Sequence, residues 1–327
     1  MFFDLNIPVP APNALKFVNT SSKKKGKQKN RATEQPENSE AQNVELFSPA
    51  QVEAIEKRIE ILVHLGYTVL ALNQTIQTCF SPSDHVNYLN ELLQKLKKRD
   101  GVVILKRLTI ILDDASEKGT GLAKQHQAAL MEYDVLSLHP TTQATFSIAC
   151  LKHSTPSALT AHIISLPLTG PRLPFFFKHT LVRTAVKNGA VLEISYSPAV
   201  GGAGEVERRN WWAACRELIR VTRGKGVIIS SGTTATPMRD VRAPNDVVNI
   251  AIMLGFPPDE AKKALSDTTK GLTIKAYTRK THQAVLSEPK LIFPQASSNH
   301  MNDNVNPSTK RLREEDEDRP SVKKMKP

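Results

Sequence analysis

The chain reads as an α/β protein, a TIM-like (β/α) barrel, on three observations. Short, continuously apolar runs recur about eight times, with helical patterns between them; strands look like this when both of their faces are covered. The alternation fills most of the 327 residues, and a (β/α)8 barrel of roughly 250 residues fits that length as one unit. No G-x-G-x-x-G follows the first strand, which argues against an open dinucleotide-binding sheet.

Met1–Ile7 reads as the first strand, with Phe2, Phe3, Leu5 and Ile7 set around Asp4 and Asn6. Residues 19–45 are lysine-rich and then polar; with so few apolar side chains they cannot offset the entropy of ordering, and they read as a disordered insertion. Order resumes at Ser48-Pro49-Ala50-Gln51. Ser48 caps a helix, Pro49 suits its first position and Gln51 completes a capping box. Val52, Ile55, Ile59, Leu62 and Val63 share one face at helical spacing, and Gly66 suits the position past the end. Tyr67–Leu72 is a buried strand leading to Asn73.

The same grammar repeats down the chain. A helix over Val86–Lys98 precedes Val102–Leu112, a long strand or a bent pair. A helix near Leu122–Met131 precedes the strand Tyr133–Leu138, and a weaker helix over Thr142–Leu151 precedes His162–Leu166. Thr180–Lys187 leads to Val191–Tyr196, and Glu205–Thr222 to Gly226–Ser230. Helices over Asn245–Leu254 and Asp259–Ser266 lead to a last strand, Leu272–Tyr277. Residues 1–290 are thus expected to form a single barrel domain, with residues 291–327 a disordered tail of mixed charge.

No apolar run reaches the roughly 18 residues of a membrane span. MFFDLNIPVP lacks the basic and apolar regions of a signal peptide. The three cysteines (Cys79, Cys150, Cys215) form no CxxC pair, which points to a reducing compartment without disulfides or zinc. Net charge is +12. Residues 19–45 and residues 307–327 each carry +2, which leaves +8 on the rest. Such an excess suits a polyanion, because Lys and Arg gain by releasing its counterions.

Catalytic residues of such barrels lie at the C-terminal ends of the strands. Here those ends are Asn6, Asn73, Asp113-Asp114, His139, Pro167, Ser197 and Ser230-Ser231. Asp113, Asp114 and His139 could contribute to a metal site, but no H-x-H or H-x-x-x-H anchors one. G-x-S-x-G is absent. Gly201-Gly202-Ala203-Gly204 lacks the Lys-Ser/Thr of a phosphate loop and reads as a linker. No catalytic or metal-binding residue is therefore assigned.

Cations form the stronger pattern. In a helix over Glu205–Arg223, Trp211, Trp212, Cys215, Leu218 and Ile219 share one arc, with Arg209, Arg216, Arg220 and Arg223 beside it. The tryptophans read as core. Lys106-Arg107 interrupts an apolar strand, where a charge is costly unless it marks a strand end or faces a partner. Lys178, Arg183 and Lys187 flank the aromatic run Phe175–Phe177 and the helix after it. Arg242, Arg279 and Lys280 lie near late element ends. These residues are the candidate RNA or partner contacts. Lys310-Arg311 and Lys323-Lys324-Met325-Lys326, separated by eleven residues, have the form of a bipartite nuclear-import signal.

Several stretches together resemble a known family. They are FFDLNI (Phe2–Ile7), HLGYTVLALN (His64–Asn73), LKRLTIIL (Leu105–Leu112), YDVLSLHP (Tyr133–Pro140) and LPFFFK (Leu173–Lys178). ISYSPAV (Ile194–Val200), KGVIISSG (Lys225–Gly232), RAPNDVVNIAIMLGF (Arg242–Phe256) and TRKT (Thr278–Thr281) follow in order. The chain resembles the thirty-kilodalton protein subunit of ribonuclease P, shared in eukaryotes with ribonuclease MRP; the insertion suggests a fungal version. The resemblance implies a TIM-like barrel similar to the polymerase-and-histidinol-phosphatase phosphoesterases. Those enzymes carry H-x-H after the first strand, where this chain reads Asp4-Leu5-Asn6. It further implies a non-catalytic subunit in the nucleus and nucleolus. Its partners would be the catalytic RNA of both particles and other protein subunits, with precursor tRNA met indirectly and no membrane. The chain itself would bind no cofactor, magnesium being expected at the RNA active site of a particle that trims precursor tRNA or processes precursor rRNA. The alternatives are a diverged metal-dependent phosphoesterase and a purely protein-binding assembly hub.

Overall fold

Seven parallel strands run in sequential order around a nearly closed barrel. The computed structural model describes residues 1–12, 46–77, 80–82, 85–117, 119–201, 203–232 and 240–281, all within one compact unit, Met1–Glu288. The insertion expected at 19–45, the tail at 291–327 and the import signal of Lys310, Arg311, Lys323, Lys324 and Lys326 lie outside the described residues, as does Cys79.

The strands are β1 (Phe2–Pro8), β2 (Tyr67–Ile76), β3 (Val103–Leu112), β4 (Val135–Pro140), β5 (Ile163–Ser165), β6 (Val191–Ser195) and β7 (Val227–Ser230). The helices are α1 (Pro49–His64), α2 (Tyr88–Lys95), α3 (Gln127–Met131), α4 (Gln143–Leu151), α5 (His179–Asn188), α6 (Ser197–Val200), α7 (Glu205–Thr222), α8 (Pro244–Leu254), α9 (Pro258–Lys263) and α10 (Asp267–Thr278). The capping box read at Ser48 is present: Gln51 N donates to Ser48 Oγ at 3.4 Å, and Ser48 N donates to Gln51 Oε1 at 3.0 Å. β3 is one unbroken strand, not a bent pair, so Lys106 and Arg107 sit in its middle.

The last predicted strand is a correction. Leu272–Tyr277 lies inside α10. Its buried residues Thr269, Leu272 and Ala276 recur at three- and four-residue spacing, a helical stripe that a short apolar run conceals. α10 packs against β1, β4 and β7. Leu272 and Ala276 join Phe3, Leu5, Val69, Ala71, Val135, Ile163, Val191 and Ile228 in one apolar cluster inside the base of the barrel. The opposite faces of the strands pack outward on the helices in a larger core.

Closure between β1 and β7 falls just beyond the end of β7. Gly232 N donates to the Asn6 carbonyl at 3.1 Å, and Ser231 N donates to Asp4 Oδ1 at 3.1 Å. β1 carries one extra residue against β2, since Asp4 pairs with Leu70 but Ile7 with Leu72. Such a bulge re-aims side chains. Here it lets Asn6 reach into the barrel although Leu5 already faces the interior.

Two buried histidines couple this packing to pH. Burial, aided by the nearby charge of Lys152, pushes the His153 imidazole down to about 4. Burial together with Arg279 and Lys275 does the same for His162. Unfolded histidine titrates near pH 6.5, so below that pH the unfolded chain binds protons that the fold refuses. Stability is fully present above about pH 6.5 and falls as the pH drops toward about 4. The urea midpoint should decrease between pH 7 and pH 5, and His153→Gln should reduce the linked uptake by about one proton. A midpoint independent of pH over that range would contradict the buried neutral state.

Candidate functional site

Above its apolar base the barrel interior turns polar. Arg107 is wholly buried and forms a two-pronged ion pair with Glu193 on β6. Arg107 Nη1 donates to Glu193 Oε1 at 2.5 Å and Nη2 to Oε2 at 2.6 Å. Nη1 also donates to the Leu5 carbonyl at 2.7 Å, Nη2 to Ser137 Oγ at 2.9 Å and Nε to Thr109 Oγ1 at 3.2 Å. All five N–H groups of the guanidinium are thereby satisfied. Glu193 also accepts from Ser230 Oγ at 2.8 Å and from Asn6 Nδ2 at 3.4 Å. Asn73 extends the network, donating to Asn6 Oδ1 at 2.8 Å and accepting from Thr109 Oγ1 at 2.7 Å.

This removes Arg107 from the candidate contacts, and Arg279 is buried as well. Arg107 is 0% exposed and cannot meet an RNA, because its partner is inside the barrel. Arg279 is 1% exposed. It pins the end of α10, with Nη2 donating to the Tyr133 carbonyl at 2.5 Å and Nη1 to the Ala158 carbonyl at 3.1 Å. Both lie where a lone charge would be costly; the full set of partners that holds Arg107 cannot be seen in linear sequence.

The other candidates divide by what already holds them. Lys106 Nζ donates to Asn90 Oδ1 at 3.0 Å. Lys280 Nζ pairs with Asp134 at 2.6 Å. Arg220 is gripped at both ends by Glu217 on its own helix, and Arg242 donates to the Val241 carbonyl at 3.0 Å. Arg216 lies over Trp212, 6.0 Å from the ring centroid. Lys178, Arg183, Lys187 and Arg209 are exposed and make no ion pair among the described residues. Trp211 is core as read, its indole N–H donating to the Ser195 carbonyl at 2.9 Å. Of the three phenylalanines, Phe175 stacks on Phe146 at 4.4 Å and Phe177 packs edge-on to both, while Phe176 is 81% exposed.

The structure assembles a basic groove that the sequence did not pick out as a unit. α5 contains no acidic residue and presents His179, Arg183 and Lys187 at four-residue intervals along one face. Facing it is the turn after α7, where Arg223 and Lys225 project. The groove holds about 490 Å³, with Val182, Val186 and Val221 in its apolar floor. Gly226 keeps that floor closed: a Cβ there would lie 2.5 Å from Val186 Cγ2. Arg223 holds a left-handed conformation, φ 55°, that a non-glycine residue adopts only against strain. Arg183 and Lys187, one helical turn or about 6 Å apart by the rise of an α-helix, with the His179 ring one turn before them, form a ladder suited to successive phosphates of a nucleic acid strand. His179 and Lys225 were not among the predicted contacts, and Arg223 was read only as part of the stripe along α7.

The metal reading finds no donor set. Asp113 Oδ1 accepts from Ser116 N at 3.0 Å and Ser116 Oγ at 2.8 Å, contacts that also hold its carboxyl below the usual range. Asp114 is exposed at the start of a single 3-10 turn. Burial pushes the His139 imidazole down, against the pull of Glu193. Asp4, at the first H-x-H position, serves the β1–β7 seam, and burial raises its carboxyl above the usual range. Among the described residues no three His, Cys, Asp or Glu side chains gather as a metal site.

Residues 1–281 match the family described as RNase P subunit p30. Mouse Ribonuclease P protein subunit p30 is 28% identical over 254 residues, spanning 76% of this chain and 90% of its own. The Saccharomyces cerevisiae Ribonuclease P/MRP protein subunit RPP1 is 28% identical over 257 residues, spanning 77% of this chain and 81% of its own. Schizosaccharomyces pombe Probable ribonuclease P protein subunit 3 is 29% identical over 233 residues, with 71% and 90% covered. Among solved structures, a chain from "cryo-EM structure of archaeal Ribonuclease P with mature tRNA" superposes with a TM-score of 0.50 at 16% identity, over 74% of this chain and 96% of that one. At that identity the likeness is one of fold.

Breaking the interior pair from one side leaves a buried, unpaired charge. Glu193→Ala and Arg107→Ala should each cost about 3–5 kcal/mol in denaturant unfolding, while Arg107→Met with Glu193→Leu should recover most of the loss. Single variants as stable as the parent would show that the pair does not organise the interior.

Proposed function

This chain belongs to the RNase P subunit p30 family, and on that premise we propose that it is a non-catalytic protein subunit of ribonuclease P and ribonuclease MRP particles that binds their RNA. The observation that carries the reading is the groove of Arg183, Arg223 and Lys225 beside His179, with Lys187 on the same face of α5; none of these cations is ion-paired among the described residues. Desolvated or neutralised cations could not contribute to counterion release; these can. The middle of the barrel interior is filled by the Arg107–Glu193 network. Cleavage chemistry, with its magnesium, falls to the RNA. The chain supports the shape of a particle that removes the 5′ leader of precursor tRNA or processes precursor rRNA, and it works in the nucleus and nucleolus.

Assembly through protein partners is a second reading, favoured by large apolar side chains left at the surface. Phe176 is 81% exposed and Met253 66% exposed; a contact between subunits would cover such groups.

Binding of the purified chain to the particle RNA, measured by fluorescence anisotropy against salt, tests the first reading. Replacing Arg183, Lys187, Arg223 and Lys225 together by Gln should flatten the log–log salt slope by about 3, near 0.7–0.9 per lost phosphate contact. An unchanged slope would remove the groove from the RNA interface. Arg223→Gly separates backbone from charge: it should gain about 0.5–1 kcal/mol of stability by relieving the left-handed strain, and lose about one contact of salt slope.

A further inference from the structure

A second basic recess lies at the base of the barrel, built by different residues. It is a half-open cleft of about 180 Å³ where the C-terminal turn of α10 meets the segment before β5 and the end of α5. Lys275 and Arg279 enter it from α10, one helical turn apart, and His162 enters from the start of β5. Ser157, Thr160 and Thr278 add hydroxyls, and no carboxylate lines it.

Three features mark the cleft as incomplete. Arg279 Nε and His162 Nδ1 are buried and have no hydrogen-bond partner, although buried polar groups are nearly always paired. The guanidinium of Arg279 is 1% exposed, and its Nη groups donate only to carbonyl oxygens. Asp134, the acid whose charge acts on Arg279, is taken by Lys280 at 2.6 Å, so among the described residues Arg279 lacks a counter-charge in direct contact. Lys275 forms no ion pair, and its ammonium is let in by Gly189. That residue has φ +97°, and a Cβ there would lie 2.8 Å from Lys275 Nζ. Two cations and an unpaired ring nitrogen therefore converge on a space of small-ion size.

We propose that this cleft binds a single phosphate-class oxyanion, with Lys275 and Arg279 supplying the charge and the Ser157 hydroxyl a neutral donor, since the Thr160 and Thr278 hydroxyls already donate to backbone carbonyls. The chemistry of His162 refines the choice. One ring nitrogen is engaged with the Lys275 backbone carbonyl, which leaves Nδ1 as a lone-pair acceptor in the neutral ring. An oxyanion that still carries one hydroxyl, such as monohydrogen phosphate or the monoanion of a terminal phosphate monoester, satisfies it by donating that proton. A bound anion would also tie α10 to β5 across the barrel base.

The test uses the full chain. Calorimetric titration with inorganic phosphate, and thermal unfolding in phosphate against chloride at equal ionic strength, should show saturable binding and a Tm rise specific to phosphate. Lys275→Gln should weaken phosphate binding at least about tenfold, by loss of a charge-assisted bond, with Tm in chloride unchanged because Lys275 makes no ion pair. Lys270→Gln, exposed on the same helix and outside the cleft, should bind phosphate as the parent does. Equal Tm shifts in chloride and phosphate, or a Lys275→Gln variant that binds like the parent, would overturn the proposal. The source of the anion is read by competition with short oligoribonucleotides. Displacement only by the 5′-phosphorylated form assigns a terminal monoester; displacement by the 5′-hydroxyl form as well assigns a backbone phosphate. Displacement by neither assigns the free ion.

Discussion

The buried pair of Arg107 and Glu193 is the constraint on which the architecture turns. A guanidinium taken out of water on the middle of a strand is tolerable only if every N–H finds a partner. Here the partners come from β1, β3, β4 and β6, and the acid they surround is also held from β1 and β7. One ion pair thus reaches across the barrel and fixes how five strands face one another. The bulge in β1 belongs to the same arrangement, since it brings Asn6 and the Leu5 carbonyl to the pair. Among the described residues no three His, Cys, Asp or Glu side chains gather as a metal site beside this network.

On the outside the deciding quantity is whether a cation is already paired. α7 looks the most basic element in linear sequence, yet Glu217 grips Arg220 and Trp212 lies under Arg216. α5 carries fewer cations but no acid, so its charge remains available to a polyanion. Exposed pairs contribute little to stability. Their larger effect here is to subtract from the surface that could bind phosphate.

Much of the fold was legible because its strands are two-faced apolar runs and its helices carry ordinary punctuation. Ser48, Pro49 and Gln51 start α1 as read, and six of the β1–β7 runs lie within two residues of their expected limits. β2 instead runs on through Asn73, Gln74 and Thr75 to Ile76. Its polar residues look like a strand end until the interior network that uses Asn73 is in view. The last predicted strand failed for a related reason. LTIKAY is apolar enough for either structure, and only the empty base of the barrel makes it a helix that buries Leu272 and Ala276.

Local chemistry along the chain was enough to establish the α/β class, the order of the elements, the basic excess and, through short motifs, the family. These depend on periodicity, caps and residue identity, which neighbours in sequence carry. Which cations are free was settled only by folding. Arg107 and Lys106 are adjacent in sequence, but the pleat turns one toward Glu193 in the barrel and the other toward Asn90 on α2. Arg223 and Arg183 are forty residues apart yet line one groove. A charge is buried, paired or available according to what the tertiary structure brings within hydrogen-bonding distance of it.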